Sequence, residues 1–212
     1  MRIEAAALLF DSDGVLIDSH YLVNAAWRQL AEEFGLDFDV LSGQFTGVRA
    51  EDTLRHHLPD DSLQRAVDRL EDIEVDMAAA CTPLEGAIEL LDRLPDGVWT
   101  IVTSGSTRLA EARWRGAGIP VPPKVITADD VAAGKPDPEP YLRAAALLGL
   151  DPAESVVFED SSPGGEAGKA AGATVIAVGD QPWSSTPAAR VADLSQVTAS
   201  PTALGVTLDV GD

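Results

Sequence analysis

The sequence predicts an α/β protein with a doubly wound parallel sheet that is interrupted by an α-helical insert. Two observations predict this class. Apolar, strand-like runs alternate with helical patterns after residue 82, and the strand signal is absent between Ser19 and Cys81. Strand–helix alternation is typical of a parallel sheet covered on both faces. The predicted core comprises residues 1–17 and 83–212, and the predicted cap comprises residues 18–82.

The core elements follow from short apolar runs and the helical patterns between them. The uniformly apolar run from Ala5 to Phe10 predicts an interior strand. Other strand-like apolar runs predict strands at Val98 to Thr103, Lys124 to Thr127, Ser155 to Phe158 and Thr174 to Val178. Helices are predicted between them at Ser106 to Gly118, Pro138 to Gly149 and Pro163 to Gly172. Beyond Thr198 only a weak strand is predicted, at Gly205 to Val210.

The insert is predicted to hold three helices, because apolar residues recur there at helical spacing. They cover Tyr21 to Phe34, Asp52 to Leu58 and Ser62 to Ala80. An insert above the carboxyl edge of a parallel sheet would cover a ligand site there. We therefore expect a lid that hinges near Leu16 to Ser19 and near Thr82 to Glu85.

Composition restricts the function classes. The net charge is −20, with 35 acidic and 15 basic residues, which argues against nucleic-acid binding. The sequence shows no membrane-length apolar stretch and no signal pattern, so we expect a cytoplasmic protein without a membrane partner, and a monomer by default. A single cysteine, Cys81, excludes an internal disulfide and is expected to be a buried apolar residue.

Two carboxylates follow the first predicted strand. Asp11 and Asp13 are two residues apart and can face the same side of extended chain, and Gly14 permits a sharp turn after them. A close carboxylate pair repels itself unless a cation lies between its members or one of them is protonated. Mg²⁺ is the usual cation for such oxygen ligands.

Further polar groups follow three other predicted strands. They are Ser104 with Gly105, Lys135, and Glu159 with Asp160. The carboxyl ends of parallel strands lie at one edge of the sheet, so these groups can converge with the aspartate pair. Carboxylates suit Mg²⁺, whereas a lysine, a hydroxyl and a backbone N–H suit phosphate.

The motifs resemble, in order, those of the haloacid dehalogenase-like hydrolase superfamily. They read Asp-x-Asp-Gly-Val-Leu-x-Asp-Ser, Thr-Ser-Gly-Ser, Gly-Lys-Pro-Asp-Pro and Glu-Asp-Ser. The helical insert resembles the cap of the β-phosphoglucomutase and sugar-phosphatase branch. The resemblance implies a Rossmann-like core, dependence on Mg²⁺ and an aspartyl-phosphate intermediate.

The resemblance also implies roles for individual residues. Asp11 would be the nucleophile, and Asp13 would protonate the leaving alcohol and then activate water. Lys135 would neutralise the oxygens of the nucleophile and the phosphate. Ser104 and the amide of Gly105 would bind the transferring phosphoryl group.

The same resemblance implies the metal ligands. Mg²⁺ would be held by Asp11, by the backbone carbonyl of Asp13 and by Asp160, with Glu159 supporting nearby. Ser104, Glu159 and Asp160 could also have structural roles. Ser104 could cap the N-terminus of the following helix, in addition to binding phosphate. Glu159 and Asp160 could be acids that the dipole at a helix N-terminus favours.

The branch of the family depends on a few positions. Asp13 favours phosphoryl transfer over dehalogenation, because halide needs no protonation. Hexose-phosphate mutases carry a cap histidine where this chain has Val23, and His20 is out of register and more simply a surface or hinge residue. A phosphatase of a small sugar or polyol phosphate is therefore favoured. The alternatives are a sugar phosphomutase and an inactive phospho-ligand-binding module.

Cap residues are expected to set specificity. Gly47 and Arg49 lie in a segment that resembles the substrate loop of this branch. Arg49 could reach the substrate, or it could pair with Glu51 or Asp52 at the surface. Trp27 and Phe45, which could line a wall of the site, are more simply core residues of the cap.

Overall fold

The elements alternate along the chain much as predicted. A computed structural model describes residues 1–211. Its strands are β1 (Arg2–Ala5), β2 (Ala7–Phe10), β3 (Ile17–Asp18), β4 (Thr82–Pro83), β5 (Trp99–Ile101), β6 (Ser155–Glu159), β7 (Thr174–Val178), β8 (Ala189–Val191), β9 (Val197–Thr202) and β10 (Gly205–Val210). Its α-helices are α1 (His20–Phe34), α2 (Phe38–Leu41), α3 (Ala50–Leu54), α4 (Asp60–Met77), α5 (Ala87–Leu91), α6 (Thr107–Ala117), α7 (Glu139–Leu148) and α8 (Ser162–Ala170).

A parallel sheet with strand order β5-β2-β6-β7-β8 forms the centre of the core. Successive side chains of its strands point to opposite faces, as the strand period requires. On one face Phe10 packs in a cluster with Trp114 of α6. On the other face Leu9 packs with Tyr141 of α7 and Ala167 of α8. Helices therefore cover both faces, and the predicted doubly wound fold is confirmed.

The first predicted strand, Ala5 to Phe10, is wrong at its start. The chain bends at Ala6, whose N–H donates to the Glu154 carbonyl at 2.7 Å. The residues before the bend leave the parallel sheet and pair antiparallel with β10 as β1. Because the run is uniformly apolar, nothing in the sequence indicated that its residues belong to two different sheets.

The predicted strand from Lys124 to Thr127 is reduced to one parallel bridge between Val102 and Ile126. The pairing is confined to the end of β5, at the edge of the sheet. Thr103 N–H then donates to the Ile126 carbonyl at 2.9 Å, which still joins this segment to the site edge.

The end of the chain forms most of a second sheet. β10 has the bounds predicted from the sequence and lies between β1 and β9 in an antiparallel sheet. β9 was not predicted. Its exposed side chains alternate with buried Val197 and Ala199, which pack into the core.

The inserted helices α1 to α4 pack around their own apolar cluster, which includes Trp27, Leu30, Phe45 and Leu70. The second helix, predicted at Asp52 to Leu58, runs instead over Ala50–Leu54, and His56 and His57 lie in the turn that follows it. The third helix begins at Asp60 and continues as a 3-10 turn over Ala78–Ala80.

The two connections between the core and the helical insert lie side by side. Ile17–Asp18 pairs antiparallel with Thr82–Pro83 as a short ribbon. These strands coincide with the segments expected to hinge. The domain boundaries at residues 17/18 and 82/83, and the hinge itself, stay predictions. Among residues 1–211, no helix has the length and hydropathy to span a membrane.

Candidate active site

The carboxyl edge of the parallel sheet gathers the predicted polar groups. Asp11 follows β2 directly, and its N–H donates to the Phe158 carbonyl at 2.9 Å. Glu159 ends β6, and Asp160 follows it. Lys135 reaches this edge from the loop before α7. Convergence at a sheet edge follows from the parallel arrangement of the strands.

Lys135 is a buried cation between two carboxylates. Its Nζ lies 2.5 Å from Asp11 Oδ1 and 2.6 Å from Glu159 Oε1, and it donates to the Val102 carbonyl at 3.3 Å. The residue is only 1% exposed. Burial lowers the pKa of Lys135, but the two carboxylates outweigh it and raise the pKa above its ordinary value. The lysine is therefore held charged beside Asp11.

Both carboxylate oxygens of Glu159 are engaged by protein groups. Oε1 accepts from Lys135 and from the Tyr141 hydroxyl at 2.8 Å, while Oε2 accepts from the Ser161 N–H and hydroxyl at 3.2 and 2.9 Å. Glu159 therefore orients Lys135. Tyr141 and Ser161 were not predicted. The available signals were their positions: Tyr141 lies on the buried face of a predicted helix, and Ser161 directly follows the acidic pair.

The residues at this edge fit a hard divalent cation. One oxygen each from Asp11, Glu159 and Asp160 lie within 4.8 Å of one another, and all three residues are buried. Burial is the largest cause of the raised pKa values of Asp11 and Asp160. A bound cation would offset this buried negative charge, and an all-oxygen donor set is what Mg²⁺ prefers.

Gly14 permits the loop after β2 to approach Asp160. Its φ is +76°, and a Cβ at this position would lie 2.3 Å from Asp160 Oδ2. Any side chain here would therefore collide with a predicted metal ligand. The sequence prediction of a sharp turn after the aspartate pair is confirmed.

Asp13 is anchored through one oxygen. Its Oδ1 accepts from the Ser19 hydroxyl and from Arg113 Nη1, the latter at 2.9 Å. Within residues 1–211 no group donates a hydrogen bond to Oδ2, and Asp13 lines the cavity described below. Arg113 was not predicted, although a charged residue on the buried face of α6, beside Leu109 and Trp114, was a readable signal.

Two further side chains contact Asp160. His20 Nε2 lies 3.0 Å from Asp160 Oδ2, and this hydrogen bond is the main cause of the raised pKa of His20. His20 begins α1, directly after one expected hinge segment, and its side chain is partly exposed. The contact with Asp160, at the site itself, was not predicted. Trp183 packs against Gly165 and donates from Nε1 to the Asp160 carbonyl at 3.2 Å.

The predicted phosphate-binding loop contacts the cap. Ser104 donates its hydroxyl to the Gly47 carbonyl at 3.0 Å, and the Gly105 N–H donates to Thr103 Oγ1 at 3.1 Å. Ser104 does not cap the following helix, because Ser106 accepts from the Leu109 N–H instead. The binding roles of Ser104 and Gly105 stay predictions.

The cap loop approaches the core closely at Gly47. With φ at +74°, a Cβ there would lie 2.2 Å from the Ser161 hydroxyl. Arg49, two residues on, pairs with both oxygens of Asp52 at 2.7 and 3.0 Å and donates from Nη1 to the carbonyls of Val131 and Ala132. Of its two predicted alternatives, the structure shows the pairing with Asp52.

A cavity of about 370 Å³ lies between the cap and the sheet edge. Asp11, Asp13 and Asp160 line its core side. Its cap side includes the polar residues Asn24, Gln64 and Asp68, which were not predicted. Trp27 and Phe45 stack with ring centroids 4.6 Å apart and are nearly buried, and they also line this cavity. They therefore serve both the cap core and the cavity wall.

Comparison with known proteins gives the family. Residues 5–172 match the family described as haloacid dehalogenase-like hydrolase. The chain belongs to this family. It is 44% identical over 175 residues to hexitol phosphatase A of Escherichia coli K12, covering 80% of this chain and 81% of the relative. It is 36% identical over 194 residues to glycerol-1-phosphate phosphohydrolase 2 of Saccharomyces cerevisiae, covering 84% and 76%.

These relatives confirm the predicted enzyme class, a phosphatase of the haloacid dehalogenase-like family. The fold also matches a solved structure, the β-phosphoglucomutase of Clostridium difficile, with a TM-score of 0.80 over 91% of this chain and 92% of that chain. At 22% identity, that likeness concerns the fold alone.

Proposed function

We propose that this haloacid dehalogenase-like hydrolase is a Mg²⁺-dependent phosphatase of a small sugar or polyol phosphate, and that it acts through an aspartyl-phosphate. The observation that supports it most is the pairing of Asp11 with the buried Lys135 beside a cavity of about 370 Å³. This size suits a small ligand.

In the first step an oxygen of Asp11 attacks phosphorus, and the bond between phosphorus and the alcohol oxygen breaks. Asp13 gives a proton to that oxygen as it leaves. Lys135 is held against Asp11 Oδ1 and offsets negative charge there, as a fixed positive group does in catalysis. Ser104 and the Gly105 amide, at the cavity wall, are proposed to hold the phosphoryl oxygens.

In the second step Asp13 takes a proton from water, which attacks phosphorus, and the bond to Asp11 breaks to release inorganic phosphate. Asp11, Asp160 and the Asp13 carbonyl are proposed to hold Mg²⁺, while Glu159 supports the group through Lys135. When bound, Mg²⁺ would supply Lewis-acid stabilisation of phosphoryl charge.

The cap side of the cavity indicates what the rest of the substrate carries. Asn24, Gln64 and Asp68 offer amide and carboxylate partners for hydroxyl groups. Glu71 also lines this region, so a second phosphate would meet carboxylates. The names of the hexitol and glycerol 1-phosphate relatives support a polyol or sugar phosphate with one charged group. Gly47 and Arg49 are proposed to shape this side.

The test is phosphate release from sorbitol 6-phosphate, glycerol 1-phosphate and glucose 1-phosphate. We expect release that EDTA abolishes, that Mg²⁺ restores and that Asp11→Asn removes. Full activity with EDTA or in the variant would contradict the proposal. Conversion of glucose 1-phosphate to the 6-phosphate with little free phosphate would instead show a mutase. Binding of these esters without turnover would show an inactive binding module. A cytoplasmic location and a monomeric state stay predictions.

A further inference from the structure

We propose that Arg113, which is absent from the predicted motifs, is a positioning residue that holds Asp13 in place and links it to the cap through Glu74. This inference rests on the proposed function, because it concerns the acid that protonates the leaving alcohol. It adds to that function a residue of α6 and a residue of α4, which come from the core and the cap.

The guanidinium of Arg113 joins two carboxylates from different parts of the fold. Nη1 donates to Asp13 Oδ1 and Nη2 donates to Glu74 Oε1, both at 2.9 Å. Arg113 is 5% exposed and Glu74 is 8% exposed, so neither contact is a solvated surface pair. A planar fork of donors can hold both carboxylates in one fixed orientation.

One of the two carboxylate oxygens of Asp13 accepts both hydrogen bonds that hold its side chain. Ser19 and Arg113 both donate to Oδ1, and within the described chain nothing donates to Oδ2. The arrangement fixes the rotation of the carboxyl group and leaves Oδ2 free to carry the transferred proton. When the ester bond between phosphorus and oxygen breaks, that proton moves from Asp13 to the leaving alkoxide.

Glu74 supplies the cap side of this contact. It lies near the end of α4, and its Oε1 accepts from Arg113 of α6 beside the cavity that both residues line. Arg113 is thus fixed from both sides only in the arrangement where α4 and α6 meet. The acid is therefore held in position when the cap is docked on the core.

The experiment compares two leaving groups on the same enzyme preparation. An alkoxide, as from sorbitol 6-phosphate or glycerol 1-phosphate, needs a proton, whereas the phenolate of p-nitrophenyl phosphate leaves without one. The ratio of kcat/KM for the alkyl ester to kcat/KM for the aryl ester isolates the acid step. Loss of folded enzyme cancels in this ratio, so a partly unfolded variant remains informative.

Asp13→Asn sets the scale, since general acid catalysis is worth about 100-fold or more. We expect Arg113→Met to lower the ratio by about 10- to 100-fold on the same basis, and Arg113→Lys, which keeps a charge without the fork, to lie between it and the wild type. Arg108→Met is the matched control: Arg108 also lies on α6 and pairs with the cap residues Glu71 and Asp72, but it is not bonded to Asp13. Its ratio should stay at the wild-type value.

Two variants test the link to the cap. Glu74→Gln keeps an acceptor for Nη2 and should retain the ratio, whereas Glu74→Leu removes it and should lower the ratio by less than Arg113→Met does. An unchanged ratio in Glu74→Leu would overturn the cap link. An unchanged ratio in Arg113→Met, with Asp13→Asn strongly selective, would overturn the positioning role. Absence of activity in the wild type toward every ester would instead refute the proposed function.

Discussion

Several residues that the proposed reaction needs are buried charges, and burying them affects the stability of the fold. Asp11, Glu159 and Asp160 are buried within a few ångströms of one another, and Lys135 is the one lysine that contacts them within residues 1–211. Removing a buried cation leaves its partners uncompensated, whereas removing one carboxylate relieves repulsion. The two kinds of substitution should therefore differ in their effect on stability, although both remove activity.

Lys135→Met should lower the free energy of unfolding by about 3–5 kcal/mol, the usual cost of breaking a buried ion pair. Asp11→Asn should leave that free energy unchanged or raise it when metal is removed with EDTA. Urea unfolding of both variants and the wild type in EDTA measures the difference. Equal destabilisation by the two substitutions would contradict the charge argument.

Glu74 should make stability depend on pH. Burial raises the pKa of its carboxyl from 4.5 to about 7, with Arg113 opposing and Asp13 adding to the rise. Between these values the folded protein binds more protons than the unfolded chain, so the free energy of unfolding falls as pH rises. The same guanidinium also donates to Asp13.

Glu74→Gln should abolish this loss, because glutamine is neutral throughout. Its stability relative to the wild type should grow as pH rises from 5 to 8, by at most about 3 kcal/mol at about 1.4 kcal/mol per pKa unit. Thermal unfolding at several pH values measures the gap. A gap that stays constant with pH would show that Glu74 does not titrate in this range.

Among the elements, helix α8 shows how small residues position the site. Gly164 lies against Glu159, Gly165 against Trp183 and Gly168 against Val157 and Val175. Gly164 and Gly168 let the helix approach β6 closely. The approach matters for the site because Glu159, which ends β6, holds Lys135. The sequence indicated a helix rich in glycine and alanine, but it did not show that glycine was needed for this approach.

Gly164→Ala should destabilise the protein and lower activity together. A Cβ there would lie 1.8 Å from Glu159 Oε1, so Glu159 must move and Lys135 with it. Overpacking of this kind costs about 1–3 kcal/mol, more than alanine gains as a better helix former. The control is Gly43→Ala in the cap, where a Cβ would meet nothing within 4 Å. Urea unfolding and phosphate release measure both; similar results for the two variants would contradict this role.

On the scale of the whole molecule, the cap sits against the core. Arg49 spans the two, since it pairs with Asp52 of the cap and donates to backbone carbonyls of Val131 and Ala132. Its side chain also lies where a Cβ of Gly134, next to Lys135, would be. Arg108 adds contacts from α6 to Glu71 and Asp72 of α4.

Arg49→Met should raise KM by about 10-fold, the equivalent of about 1.4 kcal/mol, with a smaller fall in kcat. The reason is that loss of its carbonyl contacts weakens docking of the cap more than the chemistry. Hydrogen exchange over residues 131–134 should become faster. Arg55→Met is the control, because Arg55 pairs with Glu51 within the cap. Equal effects of the two substitutions would show that the link to the core is unimportant.

The sequence was informative where a residue's role follows from its position in the chain. Strand ends at one sheet edge predicted that Asp11, Lys135, Glu159 and Asp160 meet, and they do. The local sequence pattern also predicted β7 and β10 with the bounds that the structure shows. The split of the first apolar run, by contrast, depends on β10, which lies some 200 residues away in the chain.

The sequence by itself determined the family, the sheet and the acids and lysine at its edge, because those residues follow strands in a fixed order. Only the tertiary structure decided which side chains hold them. Arg113 meets Asp13 from a distance of 100 residues, Tyr141 reaches Glu159 through helix packing, and His20 contacts Asp160 across 140 residues. Such contacts arise from the packing of elements against one another, which the spacing of residues along one chain segment does not encode.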